Sequence, residues 1–162
     1  QDVAGAATSG TISGTLGDAE VVWRTVRLDL PDGGEQNTAS YTSMMGMRSF
    51  TLQGHQDGTY IENALAITFA VLQELNDCPC TFTAEAMYWT SSSMFEDVYM
   101  GNGEVRIDEV EELGDGRLSF SGTFSAPLVF QPSIREPAVE DDVLDLEVSF
   151  DIDRVDMVEL DL

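Results

Sequence analysis

The sequence contains no lysine, one histidine and two cysteines, and each shortage removes a class of chemistry. Without lysine there is no Schiff-base nucleophile and no phosphate-gripping lysine of the Walker type. Serine–histidine–acid catalysis would have to use His55, with Asp57 near it, yet no Gly-x-Ser-x-Gly elbow accompanies them. Cys78 and Cys80 alone are too few for a thiolate zinc site. No apolar run reaches the roughly 18 residues a membrane helix needs. Positive charge is scarce as well. All seven basic residues are arginine, against 30 acidic ones, for a formal net charge of -23. That field repels nucleic acid and anionic lipid, and it favours cations, basic proteins and salty surroundings. Its plainest role is solubility, which suits a monomer or weak oligomer.

What is present reads as one globular domain. The 162 residues are 43 % apolar, enough for a core of their own. Residues 1–10 are small and polar and read as a flexible leader, with residues 11–162 as a single β domain. The start at Gln1, the acidity and the paired cysteines are together expected to mark an exported chain, periplasmic or extracellular.

Period-two alternation dominates after the leader. In Leu118–Phe130 the even positions include Leu118, Phe120, Phe124, Leu128 and Phe130, while the odd positions up to Ser125 are polar. Leu144–Ile152 repeats the pattern, with Asp145, Glu147, Ser149 and Asp151 on the wet face. One dry and one wet face is the mark of an antiparallel strand. Thr11–Leu16 and Ala19–Leu30 flank a turn at Gly17-Asp18, Ser43–His55 reads as one strand closed by Gln56-Asp57-Gly58, and Gly114-Asp115-Gly116 joins a hairpin. Asp153-Arg154 is expected to turn the chain into a last strand, Val155–Leu160. Tyr60–Gln73 fits a helix or a strand, and its β-branched and aromatic residues favour the strand. The expected fold is all-β: an antiparallel β-sandwich, immunoglobulin-like or open-barrel-like, of about nine strands.

Two segments carry a resemblance. Gly103-Glu-Val-Arg-Ile-Asp with Gly116-Arg-Leu-Ser-Phe-Ser-Gly-Thr-Phe-Ser-Ala-Pro-Leu resembles the closing hairpin of small exported bacterial β-sandwich proteins of unknown function. Ile12-Ser-Gly-Thr-Leu-Gly, with Trp23 soon after, is similar to their first hairpin. The resemblance covers about a third of the chain. It implies a β-sandwich and export, and brings no catalytic residues.

Several constellations could carry chemistry. Cys78-Pro79-Cys80 allows a disulfide, a pair of metal-ligating thiolates, or a redox pair, with a structural bridge as the plainest role. Met44, Met45 and Met47, with His55, invite copper(I), but eight residues of strand put Met47 about 26 Å from His55. Glu140-Asp141-Asp142 and Asp151-x-Asp153 offer oxygen ligands, making calcium the one possible cofactor, although no Asp-x-Asp-x-Asp-Gly loop is present. Trp23, Tyr88 and Trp89 could present an aromatic platform to carbohydrate or protein, or serve as core. With no catalytic signature concentrated anywhere, the expected function is a non-enzymatic exported binding module. A carboxylate-based hydrolase is the alternative, and a redox or metal-handling protein using Cys78 and Cys80 is a third.

Overall fold

Each alternating segment has to bury one face, and a single sheet wrapped around those faces meets that demand here. The computed structural model describes residues 3–56, 60–72 and 74–159. Its strands are β1 (Ala7–Leu16), β2 (Ala19–Asp29), β3 (Glu35–Asn37), β4 (Ala39–Met44), β5 (Met47–Gly54), β6 (Leu65–Val71), β7 (Cys80–Trp89), β8 (Glu96–Gly114), β9 (Arg117–Ser133) and β10 (Val139–Met157). A 3-10 turn, Leu75–Asp77, precedes β7. All ten strands belong to one sheet, ordered β3-β2-β1-β10-β4-β5-β6-β7-β8-β9. Pairing is antiparallel except for Asp156 and Met157 of β10, which run parallel to Ser40 and Tyr41 of β4.

The sheet returns on itself through β10. Ile152 faces Gly10 of β1 on one side and Phe120 of β9 on the other. A second seam joins β2 to the end of β5. Arg24 and His55 exchange both backbone hydrogen bonds, at 3.0 and 2.8 Å, and Thr38 links Val26 to Gln53. The expected all-β antiparallel class is what the chain adopts, in its barrel-like form. Inside lie Ile12, Trp23, Phe50, Leu52, Ile67, Phe124, Leu128, Leu146 and Ile152. Phe50 stacks on Tyr41 at 4.9 Å and on Phe69 at 5.1 Å, and the row continues to Phe120 and Phe150. One end of the interior is polar and satisfied: Ser9 Oγ lies 2.7 Å from Thr25 Oγ1 and donates to Asn37 Oδ1 at 2.8 Å, while Asn37 Nδ2 donates to the Arg154 carbonyl.

Three expectations about boundaries need correction. Residues 7–10 are strand rather than leader, and Val3 is buried against Val26 and Leu28. The Arg24 guanidinium holds this segment by donating to the carbonyls of Val3, Ala4 and Ala6. Ser43–His55 is not one strand: Met45 and Gly46, both at positive φ, form a two-residue hairpin turn between β4 and β5. Asp153-Arg154 does not end β10; a bulge between Ile152 and Val155 carries the strand on to Met157. Leu160 and most of the Gln56-Asp57-Gly58 turn lie outside the described residues. Within the ambiguous stretch Tyr60–Gln73, Leu65–Val71 is strand β6, with Leu65, Ile67, Phe69 and Val71 facing inward, whereas residues 60–64 are turn rather than strand and Gln73 lies outside the described residues.

Candidate functional site

The outer face of β8, β9 and β10 forms a trough. Because Phe120, Gly122, Phe124 and Ala126 turn inward, Ser119, Ser121, Thr123 and Ser125 of β9 must turn outward. Register places Ser121 between Glu109 of β8 and Asp151 of β10, and Ser125 between Glu104 and Glu147. Ser119 faces Glu111. Thr123 lies between Arg106 and Ser149, and Arg106 turns its guanidinium to Asp108 at 2.7 Å. The floor is made of short hydroxyl side chains. The walls carry facing carboxylates about 10 Å apart, two strand spacings, in the Ser121 and Ser125 rows, and these two rows lie about 13 Å apart with Arg106 and Ser149 between them.

At one end the trough opens into a cleft of about 670 Å³. Asp108, Glu109, Glu111, Asp151 and Asp153 line it, together with Cys78 and Leu75. The β6–β7 connection supplies the last two: Leu75 is buried in the main core, and Cys78 follows the 3-10 turn with its N–H donating to the Leu75 carbonyl. Cys78 and Cys80 are brought into contact, with Cα atoms 4.4 Å apart and a cis peptide between Cys78 and Pro79. Both side chains are half-buried against the core. No protein family, curated protein or solved structure matches this chain.

The other predicted residues are not brought together. Trp23 is fully buried, and its indole N–H donates to the Asn63 carbonyl at 2.7 Å. Trp89 is buried in a separate cluster, with its N–H on the Met94 carbonyl. Tyr88 is half-buried edge-on to Trp23 and reaches Asn63 Oδ1. The aromatic platform is therefore not formed: the indoles are committed to packing and their donors are satisfied internally. Asp141 and Asp142 sit about ten residues along β10 from Asp151 and Asp153, roughly 30 Å away at strand rise, so the four cannot share one calcium ion. Among the described residues no cluster of three or more His, Cys, Asp or Glu side chains is arranged to hold a metal. Met45 stands almost wholly exposed at the β4–β5 turn, a strand's length from His55.

Asp142 instead accepts a 2.8 Å hydrogen bond from the Tyr99 hydroxyl. Burial, then this bond and the Asp142 charge, push the Tyr99 phenol up to about 12. An unfolded tyrosine ionises near 10, so the unfolded chain releases its proton first. Stability from this contact is complete below pH 10 and is lost as pH climbs from 10 toward 12. Near-ultraviolet titration should show Asp142→Asn lowering the Tyr99 midpoint by about one unit. An unchanged midpoint would contradict the assignment.

His55, expected on a solvated face, is buried beneath the second seam. Nδ1 lies 2.9 Å from the Tyr60 carbonyl, which makes it the N–H donor of a neutral ring, and Nε2 has no partner among the described residues. Burial lowers its pKa, opposed by the Tyr60 bond and reinforced by the charge on Arg24. The unfolded imidazole takes up a proton near 6.5 and the folded one does so only at lower pH. Stability is thus present above 6.5 and falls as pH drops below it. Since His55 is the sole histidine, one imidazole resonance reports the midpoint directly. A midpoint at or above 6.5 would rule out this burial.

Proposed function

We propose that the protein is an exported, non-enzymatic binding module whose outer β8–β9–β10 face receives a basic, extended protein segment. The supporting observation is the trough itself: carboxylates on both walls of the Ser121 row (Glu109 and Asp151) and of the Ser125 row (Glu104 and Glu147), above a floor of serine and threonine. An extended peptide presents same-face side chains at about 6.7 Å intervals, so arginine or lysine residues four positions apart, about 13 Å, meet the two acid rows. The net charge of -23 steers such a segment toward the surface and speeds its encounter. Protein is favoured over carbohydrate as the partner, because Trp23 and Trp89 are enclosed. Export is supported by the hairpin resemblance and by the cysteine pair, which suits an oxidising compartment.

Fluorescence anisotropy with a synthetic peptide of alternating arginine and threonine tests the proposal. Binding is expected at low salt, weakening at least ten-fold as salt rises from about 10 to about 150 mM. The double variant Glu109→Gln, Asp151→Asn is expected to bind several-fold more weakly, and a peptide of alternating glutamate and threonine not at all. Equal binding by the variant, or no binding by the wild type, overturns the proposal.

A further inference from the structure

The Cys78–Cys80 bridge is poorly suited to stabilising the fold. It spans a sequence separation of two, and a cross-link over so short a loop restrains the unfolded chain least. Its anchors are also independent of it. Leu75 is plugged into the core on one side, and Cys80 opens β7 opposite Ile107 of β8 on the other. Opening the bridge therefore leaves both flanks held. The two sulfurs differ in setting: Cys78 lines the cleft, whereas Cys80 starts a paired strand.

We propose that Cys78–Cys80 is a thiol–disulfide exchange site selective for thiols carried on cationic molecules. The partner's thiolate attacks Sγ of Cys78. The Cys78–Cys80 bond breaks, and Cys80 leaves with the electron pair and takes a proton from solvent. A second thiolate, on the same partner or another copy, then attacks the partner's sulfur in the mixed disulfide. The partner's own disulfide forms, and Cys78 leaves as a thiolate that is protonated in turn. The partner side loses two electrons, and the two cysteines gain them. Selection comes from Asp108, Glu109, Glu111, Asp151 and Asp153, which line the same cleft as Cys78 and attract a cationic thiol into it. This goes beyond the docking of a basic segment and stands without it, because small thiols suffice to test it.

The oxidised full-length chain is treated with cysteamine (cationic), 2-mercaptoethanol (neutral) or 3-mercaptopropionate (anionic) at matched thiolate concentrations. Reaction is stopped by alkylation and read by intact mass. Cysteamine is expected to reduce the bridge about ten-fold faster than 3-mercaptopropionate at low salt, with the ratio falling toward one near 1 M salt. The exposed double variant Asp151→Asn, Asp153→Asn, checked by its melting curve, is expected to narrow the ratio at least three-fold. In single-cysteine variants, Cys80→Ser is expected to form a mixed disulfide with cystamine faster than Cys78→Ser. The proposal is overturned if the purified chain carries no bridge or if the bridge resists all three thiols while the chain is folded. Rates that ignore thiol charge overturn it equally.

Discussion

Phe50→Ala is expected to destabilise the protein by about 3–5 kcal/mol, the largest loss from any single truncation. Phe50 is buried and directly opposite Tyr41 on β4 and Phe69 on β6, so one ring ties three strands together. It also meets Phe120 from across the interior at 5.7 Å. Removing it forfeits apolar burial and leaves a void framed by three aromatic side chains, each pinned to a different strand and unable to collapse inward. A domain of this size has only about 5–15 kcal/mol to lose, so the variant should sit at the edge of unfolding at ambient temperature. Urea denaturation would show the midpoint moved strongly down with its slope kept. A shift worth less than about 1 kcal/mol would mean that the aromatic row is not the centre of the core.

Gly122→Ala should be nearly as damaging, although it adds a single methyl group. Gly122 lies on β9 between Ile107 of β8 and Phe150 of β10. A Cβ there would overlap the Arg106 carbonyl oxygen and stand 2.9 Å from Phe150 Cζ. The ring can swing aside, but the carbonyl belongs to a paired strand, so the β8–β9 ladder has to separate. The expected cost is about 3 kcal/mol, at the upper end for overpacking. Gly5→Ala is the matching control, because nothing lies within 4 Å of its added carbon. Thermal melts should leave the Gly5 variant within about 0.5 kcal/mol of wild type. Equal melts for both variants would contradict the tight approach of the two strands.

The strongest alternations carried the fold in the sequence. Leu118–Phe130 and Leu144–Ile152 are strands with the dry faces expected, because a period of two leaves no other way to bury those leucines and phenylalanines. Asp115-Gly116 announced its hairpin with residues that tolerate positive φ. The β4–β5 turn went unseen because Met45 occupies the same backbone region without being a turn former. The buried start of β1 was hidden too, since small polar residues such as Ser9 satisfy their hydroxyls only through Thr25 and Asn37, distant in sequence. The acidic trough was half legible. The outward acids of β10 were plain, but the placement of Glu147 opposite Glu104 and of Asp151 opposite Glu109 depends on register across β9, which no local pattern encodes. The aromatic trio misled because an indole reads the same whether it lines a surface or fills a core.

The order in which the strands are made gives β10 a further consequence. It bonds β1, β4 and β9, and it is synthesised after all nine other strands. During translation and any passage across a membrane, the nascent chain must therefore wait with β1 and β9 lacking their partner. Such bare strand borders invite association between neighbouring nascent chains. Mutual repulsion between polyanionic chains holds them apart through that interval, so the high negative charge guards the newborn molecule as well as the mature one.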